Sequence, residues 1–405
     1  MAFAGCCPEA SNLSCRSHTR ICRAHGPPIA WHPTNQLPSP RRAVKLSLSQ
    51  AVKTGVFAMR AVKKGWIGMA GLVGCLLAVW AGQAIQEKQI PAMKFNDVVE
   101  MAPGVFFRYS SISATDMSIP FGGCNNTWIV FKDFVVVIDA NFPKEAEDVL
   151  AAIRKTTDKP IRFVLDTHHH GDHAYGNTVW AREGAKVVGH VNCSRLLATN
   201  GPRQWDEAAK DRKDIASNKL KTVDIAFDDS HVIDDGTQRV EFHHLGHAHT
   251  AGDAVAWLPR HRILCTGDAC VNGAFNYMGQ SNSASWVNAL DRMLKFDPEV
   301  VVPGHGKPSA ARQLIGLQRR YFADTRAAVK KGIEAGQKLE EITTAIDMPW
   351  YKEWTGKDAA KIPENIAHVF KELTGKIDHK TLGSASQPGT MGPYSTESVT
   401  RVAGR

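Results

Sequence analysis

The chain has 405 residues, 43% of them hydrophobic, and a formal net charge of +9. That length and apolar content allow one large domain or two ordinary ones with a buried core, and they exclude a disordered protein. Ten of the 49 Lys and Arg but only one of the 40 Asp and Glu fall in residues 1–84, so the remainder is neutral and a nucleic-acid partner loses its main support. Five of the nine cysteines lie in the same leader; Cys124, Cys193, Cys265 and Cys270 remain, with no C-x-x-C pair to suggest a zinc ribbon or a redox dithiol.

Residues 1–58 mix Cys, Pro, Arg and His without apolar periodicity, and read as an unstructured stretch that precedes a true translation start at Met59. From there a basic run with Arg60, Lys63 and Lys64 leads into sixteen mostly apolar residues and the small residues Gly82 and Ala84. That order predicts a secretory signal peptide over residues 59–84, cleaved after Ala84, and an exported, periplasmic product. The apolar run is shorter than the roughly 20 residues of a spanning helix, so only an uncleaved leader would attach the chain to a membrane. Residues 72–75, LVGC, resemble a lipoprotein box, but the apolar run continues past Cys75, where a lipidated chain usually turns polar.

In the body, residues 104–109 predict a first strand, and residues 125–131 and 134–138 a hairpin across Lys132-Asp133. Ala146, Val149, Leu150 and Ile153 recur at helical spacing and predict an amphipathic helix over residues 144–156. Residues 161–165 read as a buried strand, and directly after it His168, His170, Asp172 and His173 crowd into six residues. Imidazole nitrogen and carboxylate oxygen are ligands for zinc and similar ions, and four of them at a strand end make a poor core. Residues two apart in an extended segment share a face, so His168 and His170 can close on one ion while His169 faces elsewhere. Gly171 permits a turn that sends Asp172 and His173 in another direction, which suits a second ion close to the first.

A short helix from Asn177 and a strand over residues 186–189 follow. Residues 196–225 are polar with scattered charges and read as a surface excursion or lid. Strands over residues 230–233 and 238–244 flank Asp235-Gly236, a hairpin turn signal, and strands over 254–258 and 262–265 flank Pro259-Arg260. Trp286, Leu290 and Leu294 mark a helix over residues 282–296, residues 300–302 a buried strand, and residues 310–376 a helical extension. The Ser-, Gly- and Pro-rich residues 383–405 read as a disordered tail. Strand-rich halves separated by helices suit a layered α/β sandwich.

Three later loops each follow a strand and each deliver a ligand-type residue: HAHTAGD from His247, TGD ending at Asp268, and PGHG containing His305. The set THHHGDH, GHAHTAGD, CTGDAC and VVPGHGKP, with VVVIDA upstream, resembles the metallo-β-lactamase-fold hydrolase superfamily over residues 105–309, with the motifs in that family's order. The resemblance implies a four-layer αββα catalytic domain, here residues 95–309, with residues 310–376 as a helical C-terminal extension. It implies His168, His170 and His249 as ligands of a first divalent ion, Asp172, His173 and His305 as ligands of a second, and Asp268 as a carboxylate bridging the two. Asp139 matches the family's buried acid that braces the histidine loop. The ions would be zinc, with manganese or iron as alternatives for this N and O ligand set. A hydroxide bridging them would attack a small-molecule ester, thioester, lactone or amide, with Asp172 passing a proton to the leaving atom.

His247, two residues before His249, is a candidate supporting donor or proton shuttle. The polar, aromatic loop over residues 272–282 is the candidate substrate contact, through Tyr277 first and Asn276 beside it. Asp268 stands where one β-lactamase subclass uses a Cys ligand, so the set fits the dinuclear thioesterase, lactonase and phosphodiesterase branches, with β-lactam turnover as an alternative or side activity. The exported form and GHAHTAGD look like periplasmic hydrolases found beside quinoprotein systems. A di-iron reductase of this fold would need Glu where His170 stands, and a nuclease a long insertion where only 36 residues separate Asp268 from His305. A metal-binding accessory protein without turnover would be expected to have lost ligands, and none is missing. Mass spectrometry of the expressed product is expected to find no peptide from residues 1–58; such a peptide overturns the Met59 start.

Overall fold

Runs such as VVVI at residues 135–138 and VVVP at 300–303 are too short for helices and too apolar for one-sided strands, which suits sheets covered on both faces. The structure, a computed structural model, describes residue 90 and residues 92–110, 123–274, 276–379 and 397–401. All of these belong to one unit, Ala81–Arg405. Residues 1–58, the signal peptide expected over 59–84 and most of the tail from 383 lie outside the described residues.

The first sheet runs in chain order: β1 Val98–Ala102, β2 Val105–Arg108, β3 Asn126–Val130, β4 Val135–Ile138, β5 Ile161–Asp166, β6 Lys186–His190 and β7 Ile225–Phe227. Pairing is antiparallel from β1 to β4 and parallel from β4 to β7. Parallel neighbours need crossovers, supplied by the helix Pro143–Ile153 between β4 and β5 and the helix Asn177–Arg182 between β5 and β6. The second sheet has the order β13 Ser309–Ala310, β12 Val300–Pro303, β11 Ile263–Gly267, β10 Val255–Leu258, β9 Arg239–His243 and β8 Ser230–Asp234, followed by β14 Glu397–Arg401. Here β11 and β12 are parallel, joined through the helix Ser283–Met293, which Asn282 caps by accepting from the Ser285 N–H at 3.0 Å.

Side chains alternate across each sheet and so build three cores. Val136, Ile138 and Leu165 from the first sheet meet Phe242, Ile263 and Val302 from the second in the intersheet core. Val135 and Val137 point outward against Val149 and Trp180. Leu264 and Val301 point outward on the other side against Trp286, Leu290 and Phe322. The result is the expected four-layer αββα sandwich, and the helices Ala311–Glu334, Leu339–Ala345, Pro349–Thr355 and Pro363–Leu373 make the helical C-terminal region.

Three features differ from the sequence-based expectation. Strand β1 has a half-exposed, irregular pattern at the sheet edge, which left no clear alternation to read. Residues 196–225 are not a polar excursion: the helices Val191–Thr199, Gly201–Ala209 and Lys213–Ala216 bury Trp205 and Ile215 against Phe142 and Tyr175. In the tail expected to be disordered, Glu397–Arg401 pairs in parallel with β8. Among the described residues no helix is long and apolar enough to cross a membrane.

Phe242 is fully buried between the sheets and in contact with Phe227 at a ring-centroid distance of 5.2 Å. Phe242→Ala is expected to cost about 3–5 kcal/mol of stability, read from denaturant unfolding of the full chain.

Candidate metal centre

Asp139, at the end of β4, has φ 63°, in the left-handed region that turns its side chain back over the first sheet's parallel strands. Its Oδ1 accepts from the backbone N–H and the hydroxyl of Thr167, both at 2.8 Å, and its Oδ2 accepts from His173 Nδ1 at 2.9 Å. One carboxylate thus ties together both ends of the loop that follows β5. A carboxylate only accepts, so Nδ1 of His173 carries its proton and Nε2 faces inward. The Thr167 hydroxyl has donated to Asp139, so it accepts from His168 Nδ1 at 3.2 Å and leaves His168 Nε2 inward. His249 donates Nδ1–H to the Tyr277 carbonyl at 2.9 Å, again leaving Nε2. His170 is turned the other way, with Nε2 on Gln280 Oε1 at 3.1 Å and Nδ1 toward the centre.

The inward atoms fall into two groups, each with donors within 4.8 Å of one another: His168, His170 and His249, and Asp172, His173 and His305; His168, His173 and Asp268 form an overlapping group between them. In the first, His249 Nε2 and His170 Nδ1 lie 3.0 Å apart. With the tautomers above, two lone pairs face each other there, an arrangement that a shared cation relieves. In the second, Asp172 Oδ2 lies 3.1 Å from His305 Nε2 and 3.4 Å from His173 Nε2. Asp268 stands between the groups, with Oδ2 3.6 Å from His249 Nε2 and Oδ1 3.4 Å and 3.5 Å from Nε2 of His173 and His305. All seven sequence-predicted ligand residues therefore converge. Nε2 of His168, Nε2 of His173 and Oδ1 of Asp268 are buried without a hydrogen-bond partner, as donors to an ion would be.

The two groups differ in charge. Burial, reinforced by neighbouring imidazoles, drives the His168 pKa well down and that of His249 down to about 3, and burial also lowers His170, so these three imidazoles are neutral. His173 is raised well above its usual value: burial opposes its charge, but Cys124, Asp172, Asp139 and Asp268 outweigh it. Burial alone would raise Asp172 and Asp268, yet His173 and His305 hold both below the usual carboxylate range. The negative surroundings that favour a cationic His173 equally favour a metal cation.

Supporting residues that were not singled out from sequence fix the loops. Asn125 donates from Nδ2 to the carbonyls of Pro303 at 2.9 Å and Gly306 at 2.7 Å, clamping the turn that carries His305. Gly304 in that turn has no room for a Cβ, which would collide with Asp268 Oδ1. Asp253 accepts from the Thr250 N–H at 2.8 Å and its hydroxyl at 2.6 Å, and burial pushes its carboxyl up to about 7. Cys124 lies with Asp139 and His173 in a further group of close donor atoms. The legible signals were the repeated Asn of CNN ahead of β3 and the final Asp of HAHTAGD.

Two sequence expectations need correction. Of the two roles expected for His247 the structure has the supporting donor and not the proton shuttle: its Nε2 donates to the Gln280 carbonyl at 2.8 Å and so secures the backbone of the residue that contacts His170. Asn276 is 2% exposed and turned inward; its amide donates to Gly273 O and Tyr351 OH and accepts from Gln318, leaving nothing for a substrate. Tyr277 is 48% exposed, with its ring centroid 6.3 Å from that of His170 and 6.0 Å from that of His249, at the mouth of the site.

Residues 119–305 match the family model described as metallo-β-lactamase superfamily. A type 2 metallo-β-lactamase of Bacillus sp. (strain 170) is 25% identical over 179 residues, which is 43% of this chain and 63% of that protein. A linear primary-alkylsulfatase of Pseudomonas sp. (strain ATCC 19151) is 20% identical over 288 residues, 60% of this chain and 54% of that protein. The chain thus spans less than two thirds of the length of these relatives. Among solved structures, a metallo-β-lactamase from Pontibacter korlensis is similar with a TM-score of 0.45 and 22% identity, over 54% of this chain and 95% of that one. Residues 119–305, which carry this donor set at the strand ends, form a metallo-β-lactamase superfamily domain.

Proposed function

We propose that the chain is a dinuclear hydrolase of a small-molecule ester, thioester, lactone or amide. One observation carries this assignment: the two oxygens of Asp268 face different donor groups, 3.6 Å from His249 on one side and 3.4 Å from His173 on the other. At a single-ion site only one of those oxygens would meet the ion. In this reading His168, His170 and His249 would hold one ion and Asp172, His173 and His305 the other, with Asp268 available to each. Two divalent ions, zinc for this nitrogen-rich set with manganese or iron as alternatives, supply Lewis acidity and water made nucleophilic near neutral pH.

The chain's own residues supply orientation and proton handling. Asp139 and Thr167 lock the tautomers of His173 and His168, so each presents Nε2 without rearrangement. Asp172, buried and ionised, accepts a proton on its carboxylate and passes it to the leaving atom. Tyr277, half exposed beside the first donor group, contacts the substrate. Export through the leader over residues 59–84 belongs to the same reading and is supported by its basic and apolar pattern. The names of the relatives add two further bond types to be tried, the β-lactam amide and the alkyl sulfate ester.

Metal analysis of the purified protein is expected to give about two divalent ions per chain, with activity on at least one of a panel of lactone, thioester, phosphodiester, β-lactam and alkyl sulfate substrates. Asp268→Ala is expected to lower that activity at least about 100-fold, because even partners outside the ligand set contribute about 10–100-fold. One ion or none, with unchanged turnover in the variant, overturns the dinuclear reading. Asp139→Asn, which preserves shape but not charge, is expected to weaken zinc binding at the His173 group by about 10–100-fold in chelator competition, with the circular dichroism spectrum intact.

A further inference from the structure

We propose that Asn365, on the C-terminal helix Pro363–Leu373, is a positioning residue for His249, acting through the peptide that joins Tyr277 to Met278. The inference rests on the assignment of His249 as a ligand of the first ion. That peptide is gripped from both sides. Its carbonyl, on Tyr277, accepts from His249 Nδ1 at 2.9 Å, and its N–H, on Met278, donates to Asn365 Oδ1 at 3.1 Å. A planar trans peptide points its C=O and N–H in opposite directions, so fixing one end fixes the other.

Asn365 is well suited to the task. It is 3% exposed, and its Nδ2 donates to the Asn276 carbonyl at 2.6 Å and to the Tyr321 hydroxyl at 3.0 Å. With a carbonyl facing its nitrogen and an N–H facing its oxygen, the amide has a single orientation that satisfies its partners. It therefore binds the residues on both sides of Tyr277 and holds that segment to the helix Ala311–Glu334 through Tyr321, which stacks on Tyr351 at 4.5 Å between ring centroids. The Tyr277 carbonyl in turn decides which His249 nitrogen is protonated and how its ring is turned. A residue 116 positions along the chain from His249 thus sets the aim of Nε2, and the helical extension is part of the metal centre's construction.

The test is zinc titration of metal-free full-length protein against a chromophoric chelator, with cobalt(II) spectra as a second readout. Asn365→Ala is expected to weaken the first ion about tenfold, leave the second unchanged and shift the ligand-field bands of the first cobalt ion. Asn365→Leu, which fills the same space without donor or acceptor, carries the same expectation should Asn365→Ala not fold. Val369→Ala, a buried apolar truncation on the same helix, is expected to lower Tm and leave both affinities and spectra as in wild type. Wild-type affinities and spectra in the Asn365 variants, or equal weakening by Val369→Ala, overturn the positioning role. A wild-type protein that binds no ion, or a His249→Ala variant that binds the first ion normally, instead overturns the ligand assignment itself.

Discussion

A single buried carboxylate, Asp139, receives three hydrogen bonds at once, from the Thr167 N–H, the Thr167 hydroxyl and His173 Nδ1. The loop it closes carries His168, His170, Asp172 and His173, four of the seven converging side chains. Without that grip the segment would be a glycine-containing turn with several imidazoles competing for few partners. With it, two ring tautomers are set before any ligand arrives, and the remaining donors need only meet a fixed frame. The left-handed backbone at Asp139 is a local cost that makes sense only because the side chain is returned to the loop.

The other elements can be understood as ways of bringing three more side chains to that frame. His249 comes from the connection between β9 and β10, Asp268 from the end of β11 and His305 from the end of β12, all in the second sheet. Each connection is then held by polar groups with no role in the intersheet core: Asp253 for the first, Asn125 for the last. The helices behind the second sheet join this scheme through Asn276, Gln318 and Asn365, which together lock the segment below Tyr277.

Much of this was legible in the residues because it is local. Histidines and aspartates spaced within a single turn, strands of consecutive Val, and Gly-bearing loops after them all announce themselves within a few positions. What escaped notice depends on partners distant in the chain. Asn276 looks like any polar loop residue until Asn365, 89 positions away, is placed against its carbonyl. His247 sits in a ligand-like H-x-H pair, and only the path of the backbone at Gln280 shows that its nitrogen is already engaged. In residues 196–225 the scattered charges concealed Trp205 and Ile215, two apolar side chains that pack the segment against Phe142 and Tyr175.

The seven side chains come from both sheets, which otherwise meet through a largely apolar interface with a few hydrogen bonds at its margins, such as those of Asn125 to the His305 turn. An ion pair held there in the proposed way acts as a rivet across the seam of the sandwich. Anything bound by the native arrangement and not by the unfolded chain adds stability that grows with the logarithm of its free concentration. The lifetime of the folded protein would then follow the metal supply of its compartment, and a metal-starved chain would be the first to open along that seam.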